Sequence, residues 1–323
     1  MSAVLLLSTG LFSAAAIVGG DITRMTDASE PIPTSGTQPE NPFAPVSVKA
    51  PYELGEGEDP AFVVLVENRG EEDPAHIIPR SAYQDEAVAA RVYDGAGAFS
   101  ARYLGWGVFS DTQGRWMDDA VRYLSARGVV QGVTNPEMTD GVMTARFAPE
   151  QSVTRAQFVT MLLRLLDAAP AREDGLAFGD AEEIPEWARE AFADAAALGI
   201  VRGDAQGDAR PNDTITRQDM AVMVYRAMEK FEMLPAFFTL EFLIFDDWDD
   251  VADYAAVPLQ NLAKIKLLNG TDGRMNPKGV TTRAEAAQFL YNLLLRDAAE
   301  AATPADTEET EPSAGAEETP AER

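Results

Sequence analysis

The feature that most constrains this 323-residue chain is an internal repeat filling its C-terminal two-thirds. Three segments open with Phe109-Ser-Asp111, Phe178-Gly-Asp180 and Phe245-Asp-Asp247, each followed by an aromatic residue, Trp116, Trp187 or Tyr254. Sixteen residues past each aromatic stands a glycine, Gly132, Gly203 or Gly270. A proline follows in each copy, Pro149, Pro211 or Pro277, and six residues beyond it an arginine, Arg155, Arg217 or Arg283. Landmarks at fixed spacing mark one supersecondary unit used three times, and a unit this small cannot bury its apolar face alone.

Within each copy the periodicity is helical. Trp116, Ala120, Val121 and Leu124, and likewise Trp187, Ala191, Phe192 and Ala195, fall on one face of a first helix. Gly128 and Gly199 stand where these helices close in a left-handed turn. The third copy has Lys266 there and Pro258 in its early turns, so its first helix is expected to start late or kink. The second helices begin Thr154-Arg-Ala-Gln157, Thr216-Arg-Gln-Asp219 and Thr282-Arg-Ala-Glu285, a capping-box pattern. Behind it run apolar stripes such as Phe158, Met161, Leu162 and Leu165, read as core rather than as a ligand box. The expected fold is mainly α: three helix-loop-helix repeats packed as a pseudo-threefold bundle, preceded by a small β module.

The expected organisation is an apolar segment over 1–20, a linker over 21–45 and the β module over 46–104. The repeats follow over 105–168, 174–230 and 241–297, and an acidic disordered tail over 298–323. Val4 to Val18 has the length of an export signal's hydrophobic region and is too short to span a bilayer. No Lys or Arg precedes it, so the alternatives are a start further upstream or a buried segment of a truncated domain. Strands are expected at Val46–Lys49, Phe62–Val66, Val88–Tyr93 and Phe99–Leu104, the last two flanking a hairpin-type turn at Asp94-Gly95. Gly95-Ala-Gly97 is a turn and not a phosphate loop, because no helix with a matching glycine follows.

Composition closes off much chemistry. There is no Cys and one His, His76, which excludes disulfides, thiolate nucleophiles, Cys-based zinc sites and paired imidazoles. His76 lies in a polar, turn-like stretch and reads as a surface residue. A net charge of -27 repels nucleic acid and anionic membranes. No cofactor is implied.

The informative oddity is the Arg just inside each second helix, since a cation there opposes the helix dipole. Arg155, Arg217 and Arg283, each beside free backbone amides, would make compact receptors for a carboxylate or phosphate. The competing reading pairs each Arg with Asp111, Asp180 or Asp247 as a staple, and the residues alone leave both open. Trp116, Trp187 and Tyr254 are core anchors or sugar platforms.

These motifs resemble the S-layer homology domain, over roughly residues 105–297. The resemblance implies a pseudotrimer whose inter-repeat grooves hold an anionic, commonly pyruvylated, secondary cell-wall polysaccharide, with Arg155, Arg217 and Arg283 meeting its charge. It places Trp116, Trp187 and the loops at Gly132, Gly203 and Gly270 in the grooves. The candidate ligand-binding set also takes in Tyr254, Asp111, Asp180 and Asp247. The copies depart from the pattern at an insert over 133–146, at Tyr254, and at Thr281 where Val153 and Ile215 stand elsewhere. The second groove is the closest to it.

The expected role is non-covalent anchoring at the cell wall or S-layer, outside the cell and without catalysis or stable membrane insertion. Several grooves on one polymer would raise avidity by roughly a hundredfold to ten-thousandfold. The alternatives are a wall-associated glycan hydrolase using two carboxylates, a protein adaptor, or a calcium scaffold. For calcium, Asp204-Ala-Gln206-Gly-Asp208 begins like an EF-hand loop, but Ala209 and Ile215 stand where Gly and a bidentate Glu are needed. The acidic runs Glu182-Glu183 and Asp246 to Asp250 read as solvated loops.

Overall fold

The computed structural model describes residues 32–33, 46–68, 75–92, 97–104, 108–139, 142–167 and 176–302. The apolar segment over 1–20, the turn at Asp94-Gly95 and the chain past 302 lie outside them.

Strands β1 (Ile32–Pro33), β2 (Val46–Pro51), β3 (Val63–Asn68), β4 (His76–Ile78), β5 (Ala82–Gln84), β6 (Ala87–Val92) and β7 (Ala98–Tyr103) form two antiparallel sheets, ordered β1-β7-β3-β4 and β2-β6-β5. Alternate residues meet between them: Val48, Ala50, Val88 and Ala90 from one, Val63, Leu65, Phe99 and Ala101 from the other. Two expectations are corrected. β6 and β7 are not a hairpin: β6 pairs with β2 and β5, and β7 with β3 and β1, so each strand puts its apolar residues into the shared core from opposite sheets. The stretch read as linker carries β1, which pairs with the outer edge of β7.

The repeats follow as α1 (Asp118–Ala126) and α2 (Arg155–Leu166), α3 (Glu186–Ala197) and α4 (Arg217–Lys230), α5 (Asp253–Lys264) and α6 (Arg283–Ala302). Their buried faces share one core, including Leu124, Phe158, Phe192, Met223, Leu259 and Leu290. In copy 1 the insert adds β9 (Glu137–Thr139) and β10 (Val142–Ala145), with β10 also pairing to β8 (Val108–Phe109).

Pro258 neither delays nor shortens α5, which has the 12 residues of α3. Sitting in the second turn, it removes one backbone bond and leaves the rest. The late helix is α1, which begins after Trp116 because Asp118 turns back to Thr112, its Oδ1 accepting from Thr112 Oγ1 at 2.8 Å. Lys266 does the work of Gly128 and Gly199, at φ 58 against 70 and 72. The last helix runs five residues past the expected boundary at 297, because Asp297 and Ala298 are buried against the β module.

The segments entering α2, α4 and α6 are joined in a closed cycle. Val153 N donates to Thr281 O, Thr281 N to Ile215 O, and Ile215 N to Val153 O, at 2.9 to 3.0 Å. Val153 and Ile215 are fully buried there and Thr281 almost so, its Oγ1 without a hydrogen-bond partner among the described residues.

The β module is bonded to the helices. Arg127, 3% exposed at the end of α1, donates to Ser81 O, Ala61 O and Val63 O at 2.8 to 2.9 Å. Burial pulls its guanidinium pKa down to about 10. On α6, Asp297 lies 3.3 Å from both Arg80 and Arg91. His76, read as a surface residue in a turn-like stretch, is partly buried on β4, and its Nε2 meets Asp167, the cap of α2, at 2.7 Å. Among the described residues no helix is long and apolar enough to cross a membrane.

Candidate functional site

Each candidate arginine is the first residue of its helix. The backbone amides around it are already taken. Arg155 N donates to Asp213 O and Ala156 N to Pro211 O; Arg217 N to Gly279 O and Gln218 N to Pro277 O; Arg283 N to Gln151 O and Ala284 N to Pro149 O. The third amide goes to the capping Thr, at 3.2 Å in all three helices. The expected partnership of Arg with free helix-start amides is therefore corrected: the next copy satisfies them, and only the guanidinium is left to meet an anion.

The guanidiniums also reach across copies. Arg155 Nε donates to Ala209 O at 2.9 Å, Arg217 Nη2 to Asn269 O at 2.7 Å, and Arg283 Nε and Nη2 to Phe147 O and Gln131 O at 2.8 and 2.7 Å. None of the three forms an ion pair with Asp111, Asp180 or Asp247, so the staple reading in its expected form does not hold. Those carboxylates are not open to a ligand either. Asp111 accepts from Phe147 N and Ala148 N, Asp180 from Ala209 N and Arg210 N, Asp247 from Met275 N and Asn276 N, all at 2.7 to 2.8 Å. They hold the loop that the next arginine grips. Burial works to raise the Asp247 carboxyl pKa, but backbone amides, Met275 and Asn276 foremost, together with the nearby Arg274 charge outweigh it and the net shift is downward.

The repeated glycines have a packing cause. A Cβ on Gly203 would stand 2.7 Å from the Gly207 backbone, and one on Gly270 2.7 Å from Arg274 O and from the Phe245 ring. Gly132 is crowded at 3.0 Å by Arg146 O and Phe109. Trp116, Trp187 and Tyr254 are not core anchors: they are 61%, 56% and 54% exposed. Tyr254 Oη donates to Asp219 Oδ1 at 2.7 Å, and burial with that bond pushes its phenol pKa up to about 12.

The arginines differ in setting. Arg283 is 8% exposed and lies 4.5 Å over the Phe147 ring. Arg155 has Asp219 Oδ2 at 3.7 Å. Arg217 lines a cavity of about 270 Å³ with Thr271, Arg274, Asn276, Gly279 and Glu285. Burial lowers the pKa of Arg217, and Glu285 opposes that shift. Among the described residues no three carboxylates converge on a metal position, and Asp204 Oδ1 accepts from Gln206 N and Asp208 N.

The family model for the S-layer homology domain matches residues 108–159, 177–221 and 244–287. The chain carries three tandem S-layer homology repeats. Over 189 residues it is 33% identical to Exoglucanase XynX of Acetivibrio thermocellus, covering 58% of this chain and 16% of that protein. It is 26% identical over 178 residues to an S-layer protein of Bacillus licheniformis and to S-layer protein EA1 of Bacillus anthracis, covering 55% of this chain and 18% and 19% of theirs. The chain thus spans under a fifth of the length of each of these relatives.

Beyond the repeat motif, reasoning from sequence missed Thr271, Arg274 and Asn276, which line the cavity of the S-layer homology repeats. It also missed the partners of Asp219 in other copies, Tyr254 and Arg155. The one available signal was its short side chain. The longer Gln157 and Glu285 reach back to their capping Thr N, at 3.1 and 2.8 Å. The Asp219 carboxylate meets Thr216 Oγ1, Tyr254 and Arg155 instead.

Proposed function

We propose that the chain is a non-covalent anchor at the outer cell surface, and that its S-layer homology repeats bind an anionic, pyruvate-bearing secondary cell-wall polysaccharide. The observation that carries this is the Arg217 cavity, where a guanidinium with one internal hydrogen bond lines a recess between the second and third copies. The relatives named S-layer protein support the surface location. The hydrogen-bond cycle supports a pseudo-threefold bundle, in which each groove is walled by two copies. A charge-assisted contact of this kind contributes about 1.5 to 3 kcal/mol.

The role proposed is binding without catalysis. The three carboxylates that open the copies are engaged with loop amides, which favours scaffolding over acid-base work. The test is co-sedimentation with protein-free purified walls before and after mild-acid removal of ketal pyruvate. Binding to intact walls and its loss after treatment is the expected result. Binding undiminished by the treatment counts against the pyruvate, and no binding to either wall counts against the anchor.

A further inference from the structure

The three inter-repeat grooves are chemically unequal. We infer that the groove between the second and third copies is the chain's single anion seat, a clamp of Arg217 and Arg274 for one carboxylate substituent, with Arg274 a ligand-binding residue. This rests on the polysaccharide reading and goes beyond it by naming the groove, its stoichiometry and its second cation.

Arg274 precedes Met275 in the loop that Asp247 holds, and it lines the same cavity as Arg217. It is solvent-facing, with a side chain 60% exposed, and its Nε lies 3.8 Å from Asp247 Oδ2. The Asp247 carboxylate is already engaged with two amides, so the guanidinium has donors to spare. The carboxylate lining this cavity, Glu285, has Oε2 tied to Thr282 N and Oγ1 at 2.8 and 2.9 Å. Two guanidiniums thus face two carboxylates, Glu285 and Asp247, that are both already engaged with backbone amides, and so both cations keep donors for a small anion.

The other grooves lack one part or the other. At Arg155, Asp219 stands where Glu285 stands and lies 3.7 Å away, while Asp208, before Ala209, takes the position of Arg274. That groove has an acid where the clamp needs its second cation. At Arg283, Arg146 keeps the loop cation, but Arg283 spends Nε and Nη2 on carbonyls beneath Phe147 and is 8% exposed. Two of its donors are thereby spent, against one for Arg217.

The test is calorimetric titration of the whole chain with a synthetic methyl hexoside bearing one pyruvate ketal, with the ketal-free sugar as control. One site per chain is expected. Arg274→Gln weakens binding about tenfold or more, whereas Arg146→Gln, at the matching and equally exposed loop position of copy 1, leaves it unchanged. Two or three equal sites, or undiminished binding by Arg274→Gln, overturn the single clamp alone. No binding of the ketal sugar by the unaltered chain overturns it together with the polysaccharide reading.

Discussion

At the scale of residues, two positions carry strain or an orphaned group that the other copies avoid. Lys266 holds φ 58 where Gly128 and Gly199 stand in the other copies. A left-handed side chain costs roughly 1 to 2 kcal/mol, so Lys266→Gly raises stability by about 1 kcal/mol once the greater freedom of unfolded glycine is allowed for. Denaturant midpoints check this. Thr281 buries a hydroxyl beside Val153 and Ile215, and Thr281→Val gains about 1 kcal/mol by removing it at constant shape. Tyr254 titrates at about 12, held protonated by burial and by Asp219. A raised phenol favours the fold fully below about pH 10, and that contribution fades as the pH climbs through the folded value. In Asp219→Asn, phenolate absorbance appears at lower pH. The arginine motif and its Thr caps were legible because helix starts have fixed local chemistry. The uses of Asp219 and Asp297 were not, because they depend on partners far along the chain.

At the scale of elements, repetition made the presence of all six helices readable, while the misread boundaries arose where one copy departs from the others. α1 starts late because a local turn tied to Asp118 displaces its first residues, a detail no periodicity carries. β6 and β7 looked like a hairpin because strands on either side of Asp-Gly so often pair, but shared core demand placed them in opposite sheets. Arg127 was unremarkable in sequence and is the bond between α1 and the β module, with three strand-side carbonyls as acceptors. Arg127→Ala leaves those carbonyls buried and unpaired, which costs about 3 kcal/mol or more. Urea unfolding reads this as a lower midpoint at unchanged slope.

At the scale of the whole molecule, the β module and the repeats behave as one structural unit. Asp297 with Arg80 and Arg91 ties α6 to the sheet, and His76 with Asp167 ties β4 to α2. Asp297→Ala removes the buried carboxylate that Arg80 and Arg91 share and costs about 3 kcal/mol. A single unfolding transition, coincident by fluorescence and by circular dichroism, is the expected outcome for the unaltered chain. Separate transitions for sheet and helices would contradict that coupling. The same unity sets the grooves: a loop of one copy, held by its own aspartate, is gripped by the arginine of another. The measurement that bears most directly on the anchor is the dissociation constant of Arg217→Ala on intact, protein-free walls, with folding verified by circular dichroism. A folded variant that binds about tenfold more weakly or worse is expected from the loss of one charge-assisted contact; a folded variant that binds as tightly as the unaltered chain contradicts the guanidinium receptor.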